Sequence, residues 1–157
     1  MKTRLILTAL LIVAVSPAVN LSASLHGTRI RAVAFDVIPP CPVPADAVAF
    51  SDLTKVPSAL RDALKTRLGE LVSPKARFDA TDVVITGHNR RLIFVWSRTG
   101  KWVVATEHGG LGYNDPILAY AVSPDGQQAT LLAERVAYPK SVCSTAEQLL
   151  AQQTGAN

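Results

Sequence analysis

Leu92-Ile93-Phe94-Val95-Trp96, then Ser97-Arg98-Thr99-Gly100-Lys101, then Trp102-Val103-Val104-Ala105-Thr106 is the stretch that decides the fold. Two runs rich in β-branched and aromatic residues flank a Thr-Gly pair, the pattern of two strands joined by a tight turn. With Thr99-Gly100 as the two-residue loop, Arg98 faces Lys101 and Val95 faces Val104. Phe94, Trp96 and Val103 then share one face, while Ile93, Val95, Trp102 and Val104 share the other. Both faces are apolar, so the hairpin belongs in a sheet covered on both sides. On the same ground Phe94, Trp96 and Trp102 are read as core and not as a stacking platform for a ligand.

Other short runs extend this hairpin. Asp82-Val83-Val84-Ile85-Thr86 reads as a strand entering the turn Gly87-His88-Asn89. Ile117 to Val122 and Ala129 to Ala133 read as two more, joined through Ser123-Pro124-Asp125-Gly126. Apolar runs punctuated by Gly, Asn and Asp predict an antiparallel meander. Upstream, Leu60, Leu64, Leu68 and Leu71, with Ala63, recur at helical spacing and predict a helix over 57–72. Pro57 would take its first position and Pro74 would stop it. Near the end, Ser144-Thr145-Ala146-Glu147 has the spacing of a capping box and predicts a short helix. The expected class is α+β: an antiparallel meander of about four to five strands against one main helix, with a short C-terminal helix and one disulfide.

The N-terminus addresses compartment. Lys2 and Arg4 precede the apolar run Leu5 to Val15, and small residues follow at Ser22-Ala23-Ser24. A basic head, an apolar stretch of this length and a small-residue exit predict a signal peptide over residues 1–23. The run is too short for a permanent membrane span, which takes roughly 20 apolar residues. Residues 24–56 read as an extended Pro-rich segment, with a loosely alternating candidate strand at Thr28–Val37. Four prolines in Pro39-Pro40-Cys41-Pro42-Val43-Pro44 favour an extended path. Residues 57–157 read as a single α+β domain. Cys41 and Cys143 are the only cysteines, and in an oxidising compartment an even pair predicts one disulfide.

Charge argues against nucleic acid. Of 16 basic residues two lie in the leader, so 14 basic less 12 acidic leaves +2 for the exported chain. So small a balance points neither to nucleic acid nor to acidic membranes. The expected location is periplasmic or secreted.

Pairing across Thr99-Gly100 also gathers chemistry. It sets Arg91 opposite His108 and Leu92 opposite Glu107, at the sheet end that also carries the turn at His88 and Arg90. The loop His108-Gly109-Gly110-Leu111-Gly112-Tyr113-Asn114-Asp115-Pro116 leaves from there, longer than the usual hairpin loop of about 2–5 residues. His88, Arg90, Arg91, Glu107, His108, Tyr113, Asn114 and Asp115 are therefore the candidate binding residues. Paired guanidinium groups suit a small anion. His108 with Glu107 or Asp115 suits acid–base work. The competing structural account makes Arg91 and Glu107 plain cross-strand neighbours, with Tyr113 and Asp115 as loop pegs. No nucleophile motif, no metal-ligand spacing and no dinucleotide fingerprint is present, so no metal or cofactor is expected. The reading that follows is a small exported binding or inhibitory module without catalysis, its partner another exported protein or a small anion. The alternatives are a small hydrolase or metal-dependent enzyme built on His88, His108, Glu107 and Asp115, and a structural accessory protein of the cell envelope.

Overall fold

Five antiparallel strands in the order of the chain form the centre of the structure, a computed structural model describing Ile38, residues 40–83 and residues 85–152. The expected signal peptide over residues 1–23, the candidate strand at Thr28–Val37 and the chain after Gln152 lie outside the described residues. The strands are β1 (Val48–Phe50), β2 (Arg90–Arg98), β3 (Lys101–His108), β4 (Asp115–Val122) and β5 (Ala129–Ala137). Helix α1 (Ser58–Leu68) lies between β1 and β2, and α2 (Val142–Ala151) follows β5. The meander, the two helices and the Cys41–Cys143 disulfide are all present, the last with a Cα–Cα distance of 5.3 Å.

The central hairpin forms as its sequence dictates. Arg98 pairs with Lys101 and Val95 with Val104. Thr99 and Gly100 both take positive φ, 49° and 77°, as a turn matched to the twist of the strands requires. Each face of the sheet receives one helix, which corrects the expectation of one main helix. Leu60, Leu64 and Leu68 of α1 pack with Val95, Val104, Leu118 and Tyr120. Val142, Ala146, Leu149 and Leu150 of α2 pack with Trp96, Val103, Ala105, Ile117 and Ala119 on the opposite face. The two helices are similar in length, 11 and 10 residues. Burying each leucine is worth roughly 1.5–3 kcal/mol, so both layers hold the sheet.

Several local expectations shift. Helix α1 ends at Leu68, because Gly69 adopts φ 77° and its N–H donates to the Lys65 carbonyl; Pro74 plays no part in stopping it. Pro57 stands before the helix as its cap and not at its first position. Helix α2 begins at Val142, so Ser144 lies inside it and forms no capping box. The core position of Val142 and the bridge at Cys143 draw the helix start back by nearly a turn. Its C-terminal carbonyls accept from cations on the hairpin: Lys101 Nζ donates to Leu149 O and Gln152 O, and Arg98 Nη2 donates to Leu150 O.

Residues 82–86 form no strand among the described residues. Val83 and Ile85 are exposed, Ile85 to 82%. The segment is a loop wrapped on Asp79, whose carboxylate accepts from the backbone of Thr86 and Gly87 and from the Thr86 hydroxyl. A local hydrogen-bonded turn has outcompeted β propensity. β1, unforeseen, pairs with only Val95, Trp96 and Ser97 of β2. β5 runs longer than expected and carries an irregularity at Leu132, between the pairs Ala119–Ala133 and Tyr120–Leu131.

Candidate functional site

A bulge at Ile93 sets the geometry of the sheet end. From the turn to Phe94 the β2–β3 register runs as the loop arithmetic requires. Beyond it Ile93 is the extra residue, and Leu92 faces Thr106, Arg91 faces Glu107 and Arg90 faces His108. Every expected pair there is displaced by one, and Ile93 joins the α2 face with Phe94. The displacement places a cation beside an anion. Arg91 Nε donates to Glu107 Oε2 at 2.6 Å, and Nη2 reaches the same oxygen. The Tyr113 hydroxyl donates to Glu107 Oε1 at 2.6 Å. The Arg91 guanidinium also lies over the Phe78 ring, 4.2 Å from its centroid, a favourable cation–π contact.

Asp115 lies one strand further along the same face, since continuing the β3–β4 register past Ala105–Ile117 sets it across from Glu107. It is fully buried, and neither carboxylate oxygen has a hydrogen-bond partner among the described residues. Burial, and secondarily the Glu107 charge, push its pKa up to about 7. Burial first, then the bond to Glu107, also pushes the Tyr113 hydroxyl well above its usual range.

The eight expected residues do not gather into one cluster. Arg91, Glu107, Tyr113 and Asp115 share the α2 face. His108 follows Glu107 in the strand and so points to the other face, paired with Arg90. Burial, then the Arg90 charge, holds the His108 imidazole below its usual value. His88 belongs to the Asp79 loop, its N–H donating to Thr86 Oγ1 and its carbonyl accepting from Asp79 N. Asn114 closes the Gly-rich loop, exchanging backbone bonds with His108 and donating from Nδ2 to Gly112 O. Among the described residues no three His, Cys, Asp or Glu side chains stand close enough to hold a metal ion.

The α2-face network opens onto a cleft of about 770 Å³. The sheet contributes Ile93, Phe94 and Trp96, with the Phe94 and Trp96 rings stacked at 4.2 Å. The Pro-rich strap contributes Ile38, Pro40, Cys41 and Val43, and its disulfide ties it to α2. The 74–80 loop contributes Pro74, Phe78 and Ala80. Arg91, Glu107 and Tyr113 also line it. At about 3.3 Å per residue, Arg91 and Trp96 stand roughly 15 Å apart along β2. The cleft is thus elongated, charged near the sheet end and apolar toward its middle.

Sequence reasoning missed the strap, Phe78 and the Asp79 loop as parts of this site. One signal was present: Gly109 leaves β3 where a side chain has no room, since a Cβ there would lie 1.9 Å from Asp79 O. That close approach, with Gly109 N donating to Asn89 O and Gly110 N to Ala80 O, locks the two loops together. No family model, curated protein or solved structure matches the chain.

Proposed function

We propose that this chain is a small exported binding module, without catalysis of its own, whose working site is the cleft on the α2 face. One observation carries the reading: a cavity of about 770 Å³ with aromatic and aliphatic lining and a few fixed polar groups. That size lies within the roughly 300–1,000 Å³ typical of small-molecule sites, and so does that mix of chemistry. The site stands on a rigid sheet and is bounded by a strap anchored through a disulfide. Export is supported by the Lys2/Arg4 head and apolar run of the leader, and a disulfide is compatible with it. No helix among the described residues is long and apolar enough to cross a membrane.

The enzymatic alternative draws less support from the geometry. His108 lies on the sheet face opposite Glu107 and Asp115, His88 belongs to the Asp79 loop, and Asp115 is sealed from solvent. The test is a ¹H–¹⁵N NMR titration of the oxidised, leader-free protein with a set of small amphiphiles. Shifts should concentrate at Arg91, Ile93, Phe94 and Trp96. Shifts confined to other surfaces, or none at all, would remove the cleft as the binding site. Mass measurement of the exported product should find a chain starting beyond the apolar run; a retained Met1 overturns export.

A further inference from the structure

We infer that the cleft takes an elongated amphipathic anion, its carboxylate at Arg91 and its apolar body along Phe94 and Trp96. This rests on the cleft being the binding site and adds the chemistry of what it holds.

The polar end offers donors. Both Glu107 oxygens already accept, Oε1 from Tyr113 and Oε2 from Arg91. Arg91 spends Nε and Nη2 on that bond. Its Nη1, with two N–H groups, makes no hydrogen bond to any described residue, and the side chain is 29% exposed in the cleft. A carboxylate fits such a fork edge. Lys75 and Arg77 are exposed on the loop that supplies Pro74 and Phe78 to the cleft. The acid among them, Asp79, is turned inward onto Thr86 and Gly87. Burial works to raise its pKa, but those hydrogen bonds together hold it below its usual value.

The remainder of the cleft is apolar and long. Ile93, Phe94 and Trp96 run away from Arg91 along β2, facing the apolar strap. An extended peptide is the poorer fit, because β2 has little free edge to pair with it. Val72 bridges β2 at Arg91, with bonds from Val72 N to Arg90 O and from Leu92 N to Val72 O. β1 occupies Val95 to Ser97, so only Ile93 and Phe94 remain between them.

The test compares dodecanoate, dodecanol and dodecylammonium, each below its micelle concentration, by calorimetric titration into the oxidised protein. Dodecanoate should bind at least tenfold more tightly than either of the others. Shortening the chain should weaken binding by about fourfold per methylene. Arg91→Gln should erase the head-group preference and keep the chain-length dependence. Ala49→Phe, at an exposed cleft position on β1, fills the cleft without touching the ion pair and should weaken dodecanoate at least tenfold. If dodecanol binds as tightly as dodecanoate, or dodecylammonium more tightly, the anion inference falls while the cleft stands. If none of the three binds, both readings fall.

Discussion

Asp115→Asn should make the stability of this protein less dependent on pH, and the direction is set by burial. The Asp115 carboxyl has a folded pKa of about 7, against roughly 3.9 for an aspartate in an unfolded chain. Between these values the folded protein holds a proton that the unfolded chain has lost. Stability therefore falls as pH rises through that window, by about 1.4 kcal/mol per unit. The contribution is fully present below about pH 4 and fully lost above about pH 7. From pH 5 to pH 8 the loss amounts to about 3 kcal/mol, a large share of a typical stability of 5–15 kcal/mol. Asparagine keeps the shape and cannot ionise, so this component vanishes. Its buried amide costs about 1–3 kcal/mol if unsatisfied, at every pH alike. The assay is urea unfolding of both proteins, disulfide intact, at pH 5, 6, 7 and 8. The stability of wild type relative to Asp115→Asn should decline by about 3 kcal/mol across the series. A difference that stays constant with pH would refute the argument, since it would mean that Asp115 ionises in the folded state as readily as in water.

Other perturbations follow from the same structure. Gly109→Ala drives a Cβ into the Asp79 backbone, so unfolding measurements should show a loss of about 1–3 kcal/mol, with NMR changes spreading through both loops. Thr99→Gly relieves a β-branched residue at φ 49° and should stabilise by about 1 kcal/mol in the same assay; a loss instead would show that the Thr99 side chain contributes more than its backbone costs. Cys41→Ser with Cys143→Ser opens a loop of 102 residues and should cost about 2–5 kcal/mol in thermal or urea unfolding. Because the strap lines the cleft, the same pair of changes should also weaken dodecanoate binding at temperatures where the protein remains folded, read by calorimetry.

How much of this was legible in the chain depended on whether its causes were local. The central hairpin was legible because Thr99-Gly100 and the runs beside it are contiguous and their pairing is forced by the turn. Helix α1 was legible from leucine spacing, but its end was not, since Pro74 stood out more than Gly69. The bulge at Ile93 was not legible, because nothing in Leu92-Ile93-Phe94 marks which residue the partner strand will skip. That single unread residue moved Arg91 from His108 to Glu107, whereas the division of Glu107 and His108 between two faces follows from strand alternation alone. Asp82–Thr86 misled because Val-Val-Ile carries strong β propensity, whereas a carboxylate three residues upstream holds the segment as a loop. Of the eight candidate residues Arg91, Glu107, Tyr113 and Asp115 share one face, and the expected pairings between β2 and β3 are displaced by one. The cleft was invisible because its boundaries come from the strap, the 74–80 loop and β2, joined only by tertiary contact.

The irregularity at Leu132 has a consequence for the outer border of the sheet. β5 is a nine-residue edge with Leu131, Leu132 and Val136 exposed, a natural template for a foreign strand. A strand laid in step with Ala133–Ala137 arrives one residue out of phase beyond Leu132, so its side chains there would turn to the wrong side. Only half of the border can be zipped at once, so the irregularity works against edge-to-edge pairing in the way that bulges and charges do on other exposed sheet edges.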